Sequence, residues 1–418
     1  MRLTRRETLA LAAYAAAAPG TAPAAAWGWE PDAAATAWSE RRYAGLAGVF
    51  AASEPGGGPK AGANLSLAPL AAAAILTDAA SGQILWAKEP DLRRPVASVT
   101  KLMTMALVLD AIASGRIRWG DLVSASEAAV RTPGAQIWLE LGETMTVRDL
   151  FYAVAIHSAN DAAVALAEFV GGSVPHFVEM MNAKAKALGM QETHYVDPTG
   201  LDDAGYSTAR DVATLSRFLV LHHPEVLQYT KTWEYRLREN KLWMVNRNRL
   251  LTRLPGVDGL KTGFTTRAGY CLAATAIRGS TRLIAVVLGA PTSEARFGET
   301  AACLQWGFTH YVTVPVAARG QVVALRPVDA GAAPAVALVP AYPFGVTVPR
   351  GQEATVRTEL VLPARLLAPV AAHQPVGVLV TRVAGQEVAR IPLVAAQAVP
   401  RIGLLWLWLR LWRRTWAW

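Results

Sequence analysis

The sequence predicts an α+β protein, a mixed helix-and-strand domain followed by a small all-β domain, and three observations predict it. Apolar strand-like runs near residues 72–87 and 270–289 bracket a long stretch with helical periodicity. Past Tyr311 the helical period disappears, leaving short Val-rich runs broken by Pro and Gly. With 418 residues, 52% apolar and 17% charged, the chain can bury two or three domain cores and is neither disordered nor collagen-like.

Residues 1–26 read as an export signal. Arg2, Arg5 and Arg6 precede an apolar stretch from Leu9 to Ala18, and small residues end at Ala24-Ala25-Ala26. The alternative, an Ala-rich first helix, would make that order accidental. Thr4-Arg5-Arg6-Glu7-Thr8-Leu9 resembles a twin-arginine signal, although adjacent arginines also fit ordinary secretion. Residues 27–68, rich in Ala, Gly and Pro, form a loose leader. The catalytic-size domain is assigned to 69–315. Within it, Ala72–Asp78 and Ser81–Ala87 read as strands joined at a Gly turn. Ser98–Ile112, Asp149–Val170 (interrupted near Ser158) and Ser207–Leu221 read as helices. Tyr270–Ala276 and Leu283–Gly289 read as strands. Residues 316–399 form the β domain, drawn as a β-sandwich, with strands at Gln321–Leu325, Ala354–Thr358 and Val376–Val380.

Residues 400–418 are Trp-rich, basic and free of acids. The longest charge-free apolar run there, Ile402–Leu409, is about 12 Å of helix against a ~30 Å hydrocarbon core, so it cannot span a bilayer. As a helix it places Arg410, Arg413 and Arg414 opposite Leu405, Trp408, Trp412 and Trp416, which suits an amphipathic anchor lying on anionic lipid. Packing on the β domain and a free tail are the alternatives.

The net charge is +9, from 41 basic and 32 acidic residues, but the excess outside the tail is scattered and no nucleic-acid motif accompanies it. No nucleic-acid partner is therefore expected. Two cysteines, Cys271 and Cys303, make neither a disulfide scaffold nor a zinc cage, and their apolar surroundings favour two buried thiols. No metal-ligand motif is present, and no cofactor is expected.

Three short motifs carry the candidate chemistry. In Ser98-Val99-Thr100-Lys101, behind Pro95, the serine falls at a helix start and the lysine projects from the same face one turn on. A serine hydroxyl needs a base, and a lysine serves only if its pKa falls from about 10.4 to about 7–8, a change of roughly 4 kcal/mol. Burial or a second cation would supply it. Ser158-Ala159-Asn160 interrupts an apolar helix. Its polar groups either satisfy each other internally or relay a proton and orient a substrate or the lysine. Lys261-Thr262-Gly263 opens a strand that could bring Lys261 to the site as that second cation, with Gly263 allowing a substrate backbone to approach closely. Lysine supplies only 8 of the 41 basic residues, so two lysines in two such motifs weigh against chance.

S-x-x-K, S-x-N and K-T-G in that order form the active-serine signature of penicillin-binding proteins and serine β-lactamases. The wider stretches Arg94–Thr104, Ser158–Ala163, Asn246-Arg247-Asn248 and Asp258–Thr265, with Asp197-Pro198-Thr199-Gly200-Leu201 and Arg267–Tyr270, resemble the serine-type D-alanyl-D-alanine carboxypeptidases over residues 70–315. The resemblance implies a β-lactamase/transpeptidase-like fold, with a central antiparallel sheet, helices on both sides and a helical subdomain. It implies Ser98 as nucleophile, Lys101 as base, and Ser158 and Asn160 as the second motif, Ser158 relaying a proton to the leaving amine. It implies Lys261 as a field-setting, substrate-contacting lysine, Thr262 as a carboxylate holder, and backbone N–H groups of Ser98 and Phe264 as oxyanion donors. Arg247 and Arg296 are candidates for assisting at the carboxylate. The implied substrate is the peptidoglycan stem peptide, with β-lactams as covalent inhibitors. The segment Gln191–Gly200 lacks the E-x-x-x-N pattern of class A β-lactamases, so deacylation of β-lactams is expected to be slow. A D,D-endopeptidase and a non-catalytic penicillin-binding sensor are the alternative functions. The expected location is the periplasm, at the outer face of the inner membrane.

Overall fold

The computed structural model describes residues 66–403 except Arg319 and Pro343. The expected export signal, nearly all of the leader, and the tail from residue 404 onward lie outside the described residues.

The chain opens with β1 (Ala73–Asp78) and β2 (Ile84–Lys88), a hairpin turned at Gly82, whose φ of 78° falls in the left-handed region that favours glycine. A 3-10 turn, Ala97–Thr100, runs directly into α1 (Lys101–Ala113). Nearly every face of α1 is buried, as its Leu, Met, Val and Ala content dictates, so it lies at the centre of the domain. Then come β3 (Leu122–Ser124), α2 (Glu127–Arg131), β4 (Thr144–Thr146) and α3 (Val147–Tyr152). A π-helical turn, Ala153–His157, leads to α4 (Asn160–Gly171), α5 (Val174–Ala187) and α6 (Ala209–His222), the last capped by Thr208 Oγ1 accepting from Asp211 N at 3.1 Å. Short pieces follow: α7 (Val226–Thr230), the β5 (Glu234–Leu237) and β6 (Leu242–Val245) hairpin, and α8 (Leu250–Arg253). Three long strands, β7 (Val257–Thr265), β8 (Gly269–Arg278) and β9 (Thr281–Ala290), precede α9 (Ser293–His310).

β2-β1-β9-β8-β7 form one antiparallel sheet, so the distant segments do complete each other: Ala73–Asp78 pairs in register with Leu283–Leu288. One face carries Leu76, Leu272, Ala274 and Ala285 into a core with Phe297, Cys303, Leu304 and Phe308 of α9. α6 packs on β1 and β9 from the other side, beside the helical group in which α1 touches α4, α5 and α6.

The C-terminal part contains β10 (Tyr311–Ala317), β11 (Ala324–Asp329), β12 (Ala335–Pro340), β13 (Phe344–Pro349), β14 (Val356–Val361), β15 (Leu366–Leu367), β16 (Pro375–Val383) and β17 (Gln386–Ala395). Six of these strands form a sheet in the order β14-β16-β17-β12-β11-β15, and β10 pairs with β13 separately. Ala317 and Phe344 from that pair pack onto the core built by Leu338, Leu379, Ile391 and Leu393. Two expected strands begin later than the Val-rich pattern suggested. β11 starts at Ala324, and Glu353–Thr355 is a 3-10 turn in which Thr355 Oγ1 donates to Gln352 O. Both cysteines are buried free thiols.

Candidate active site

Ser98 sits half-buried in the 3-10 turn, and the turn begins with a strained residue: Ala97 has a φ of 49°. One turn on, Lys101 is wholly buried. Its Nζ lies 2.9 Å from Ser98 Oγ, 2.6 Å from Asn160 Oδ1 and 2.8 Å from the Thr199 carbonyl oxygen. The partners suit both protonation states. An ammonium donates to all three oxygens, whereas a neutral amine donates to Asn160 Oδ1 and Thr199 O and can take the Ser98 hydroxyl proton on its lone pair. Burial favours the neutral form and, with the charge of Arg247 added and Asp197 and Asp161 opposing, brings the Lys101 amine down to about 7.

Asn160 is itself locked. Its Nδ2 donates to Pro133 O and its backbone N–H to Ala135 O, both at 2.6 Å. A side chain at Gly134 would strike Asn160 Nδ2 at 2.7 Å. Of the readings open for this amide, the structure favours orienting the lysine. Ser158, in the same motif, is buried with a φ of 69° at the end of the π-helical turn, a sparsely populated conformation for serine. No hydrogen bond joins its hydroxyl to Ser98 or Lys101 among the described residues.

Lys261 on β7 is also wholly buried behind the cleft and donates to Thr262 O at 2.9 Å. Burial, then the charges of Lys101, Arg247 and Arg296, hold its amine well below the ordinary lysine value. Lys261 and Lys101 repel each other as two buried amines, and Arg247 is a further cation acting on both. Thr262 is buried, whereas Phe264 is 52% exposed and packs on Tyr270 at 4.3 Å between ring centroids. Gly263 has a reason besides the one expected. A Cβ there would lie 2.8 Å from Val96 O and 3.0 Å from Ser98 N, so what approaches closely is the nucleophile's own turn.

The two arginines part company. Arg247 is exposed, has no ion-pair partner among the described residues, and projects between two buried asparagines. Asn246 holds Thr230 O and Thr232 O, and Asn248 holds Gly259 O, which ties this segment to β7. Arg296 is buried, and its Nη1 donates to Gly263 O at 3.2 Å and Cys271 O at 3.4 Å. It braces β7 and β8.

Sequence reasoning missed the cradle. Asp197 Oδ1 accepts from Thr199 N, Thr199 Oγ1 and Gly200 N at 2.5–2.6 Å, an Asx-type turn that aims the Thr199 carbonyl at Lys101. Gly200, with a φ of 75°, packs so tightly that a Cβ would lie 1.9 Å from Ala97 O. Buried Asp161 accepts from Ile137 N, Leu139 N and Ala162 N, anchoring the loop that fixes Asn160. The signal was present as D-P-T-G and as the acid after S-A-N, but an acceptor carbonyl leaves no trace in residue identity.

Residues 63–292 match the family model of D-alanyl-D-alanine carboxypeptidases, more than half of the chain, and residues 311–401 match the penicillin-binding protein 5 C-terminal domain. The chain belongs to the D-alanyl-D-alanine carboxypeptidase family. The D-alanyl-D-alanine carboxypeptidase DacF of Bacillus subtilis is 40% identical over 344 residues, 81% of this chain and 88% of that one. Penicillin-binding protein 5 from Haemophilus influenzae superposes with a TM-score of 0.65 at 35% identity, over 79% of this chain and 98% of that one. Penicillin-binding protein D2 from Listeria monocytogenes, solved in its ampicillin-bound form, is similar at 36% identity with a TM-score of 0.54, over 58% of this chain and all of that one.

Proposed function

We propose that this carboxypeptidase removes the terminal D-alanine from peptidoglycan stem pentapeptides through an acyl-enzyme on Ser98. The observation that carries the reading is the buried Lys101 amine, 2.9 Å from Ser98 Oγ, with its other two partners limited to acceptors. Ser98 Oγ attacks the carbonyl between the two D-alanines, and its proton passes to Lys101 Nζ. The oxyanion forms beside the Ser98 and Phe264 backbone N–H groups, where β7 meets the nucleophile turn; such fixed donors contribute about 3 kcal/mol each in related acyl-transfer sites. The C–N bond breaks, the D-alanine amine takes up the proton, with Ser158 as relay, and water then releases the shortened peptide. Arg247 is the exposed cation available to the substrate's terminal carboxylate, with Thr262 beside it on β7. β-Lactams acylate the same serine, and residues 191–200 supply no water-activating E-x-x-x-N, so that adduct persists.

In this reading residues 1–26 direct export and residues 400–418 attach the enzyme to the outer face of the membrane. The test of the chemistry is Ser98→Ala. It should abolish both D-alanine release and covalent labelling by a fluorescent penicillin while leaving the far-ultraviolet circular dichroism intact. Label remaining on another residue would overturn the assignment.

A further inference from the structure

One side chain on the loop that fixes Asn160 is held in a way that the chemistry above does not use. Trp138 is 63% exposed, and its backbone is in the left-handed region with a φ of 54°, a costly conformation for a bulky residue. The strain is imposed from both sides. The buried Asp161 carboxylate takes the N–H groups of Ile137 and Leu139, at 3.0 and 3.2 Å. Arg238, from the β5–β6 hairpin, donates Nη1 to Ile137 O at 2.7 Å and Nη2 to Trp138 O at 2.9 Å, while its Nε and Nη2 grip Glu143 at 2.7 and 2.9 Å. Ile137 and Leu139 point inward and are buried, so the indole is turned outward. Among the described residues no aromatic ring or cation covers it. Folding alone would have been served by a small or polar residue here.

The same loop reaches the reacting groups. Ala135 O accepts the Asn160 N–H, and Asn160 holds Lys101. Trp138 follows Ala135 by Gln136 and Ile137, at most ~11 Å of extended chain. An extended peptide covers ~3.5 Å per residue, so the Trp138 backbone lies within about three peptide residues of the carbonyl that fixes Asn160.

Resting on the carboxypeptidase reading, we propose that Trp138 is a specificity-determining residue, a fixed indole platform for the long aliphatic side chain of the stem residue preceding the acyl D-alanine. Asp161 and Arg238 are its positioning residues. Methylenes laid on an immobile aromatic face are removed from water at little entropic cost.

The test compares D-alanine release from Nα-acetyl-L-Ala-D-Ala-D-Ala and Nα,Nε-diacetyl-L-Lys-D-Ala-D-Ala as a ratio of kcat/KM values. The wild type should favour the lysine peptide by about tenfold, the worth of about two buried methylenes. Trp138→Ala should bring the ratio close to one, Trp138→Phe should keep most of it, and Arg238→Gln should lower it by loosening the platform. Uptake of fluorescent penicillin to full stoichiometry reports that each variant retains a folded site. If Trp138→Ala fails that criterion, Trp138→Gln is read in its place. A wild-type ratio near one, an unchanged ratio in Trp138→Ala, or equal losses on both peptides would each overturn the proposal. Absence of D-alanine release from both peptides by the wild type would instead overturn the carboxypeptidase reading.

Discussion

At the residue scale the proposed chemistry turns on the protonation of Lys101. With its amine near 7, acylation should rise with pH as the neutral fraction grows and level off once deprotonation is complete. The sign for Arg247 follows from the same electrostatics. Its cation disfavours the charged lysine, so Arg247→Gln should move the midpoint of the acylation profile upward, above 7. Stopped-flow acylation by a chromogenic cephalosporin across pH checks this, and a midpoint that stays put or falls would remove Arg247 from the electrostatics of the site. The three motifs were legible in the sequence because catalysis constrains residue type. The groups that hold Lys101 and Asn160 were not, because Thr199, Pro133 and Ala135 contribute carbonyl oxygens, which every residue possesses.

At the element scale the site is the meeting of the Ser98 turn, β7 and the 197–200 turn, and two glycines set how close they come. Gly200→Ala combines an unfavourable φ with a contact to Ala97 O that backbone must relieve. It should slow acylation by at least about a hundredfold, the scale of a 1 Å misplacement of reacting groups. Burst kinetics with penicillin check it, and near-normal acylation would mean that the turn tolerates displacement. Away from the site, Asp110 on α1 binds Lys184 of α5 at 2.9 Å and His223 Nε2, at the end of α6, at 2.9 Å. Burial would raise the Asp110 carboxyl, but the His223 hydrogen bond and the Lys184 charge outweigh it and hold it at about 2. Burial would likewise lower His223, but Asp110 and Glu225 raise it. A raised histidine stabilises below its unfolded value of about 6.5, and that contribution is lost as pH climbs through its folded value. Asp110→Ala leaves Lys184 buried without this partner and should cost about 3 kcal/mol in urea unfolding, a cost that narrows at alkaline pH as the His223 share disappears. The helices and strands assigned to the catalytic domain from the sequence lie close to their observed limits, but α5 and α9 went unassigned. The sequence did not show this cluster, whose members come from three helices that only the tertiary fold brings together.

At the scale of the whole molecule the β domain is fastened to the catalytic domain by polar contacts. Thr313 Oγ1 donates to Asp78 at 2.6 Å, Ser280 Oγ donates to Thr313 O at 2.6 Å, and Thr313 N donates to Thr281 Oγ1 at 2.9 Å. The change of character at Tyr311 was readable from Val, Pro and Gly placement, whereas the strand order β14-β16-β17-β12-β11-β15 was not, because pairing partners leave no local periodicity. If residues 400–418 bind the membrane, a chain ending at Val399 should keep its activity on small peptides and lose co-sedimentation with anionic vesicles. Equal sedimentation of both forms would refute the anchor.

The pairing of β1 with β9 has a temporal side. Ser98, Lys101, Asn160, Thr199, Arg247 and Lys261 all fall between those two strands in the chain, inside a loop that stays open until Thr281–Ala290 has been made and has paired with β1 at the middle of the sheet. A ribosome therefore delivers the nucleophile early and the element that closes the sheet around it late. If the enzyme is exported as proposed, this order of manufacture is itself a safeguard, since the site is not assembled until nearly all of the catalytic domain exists.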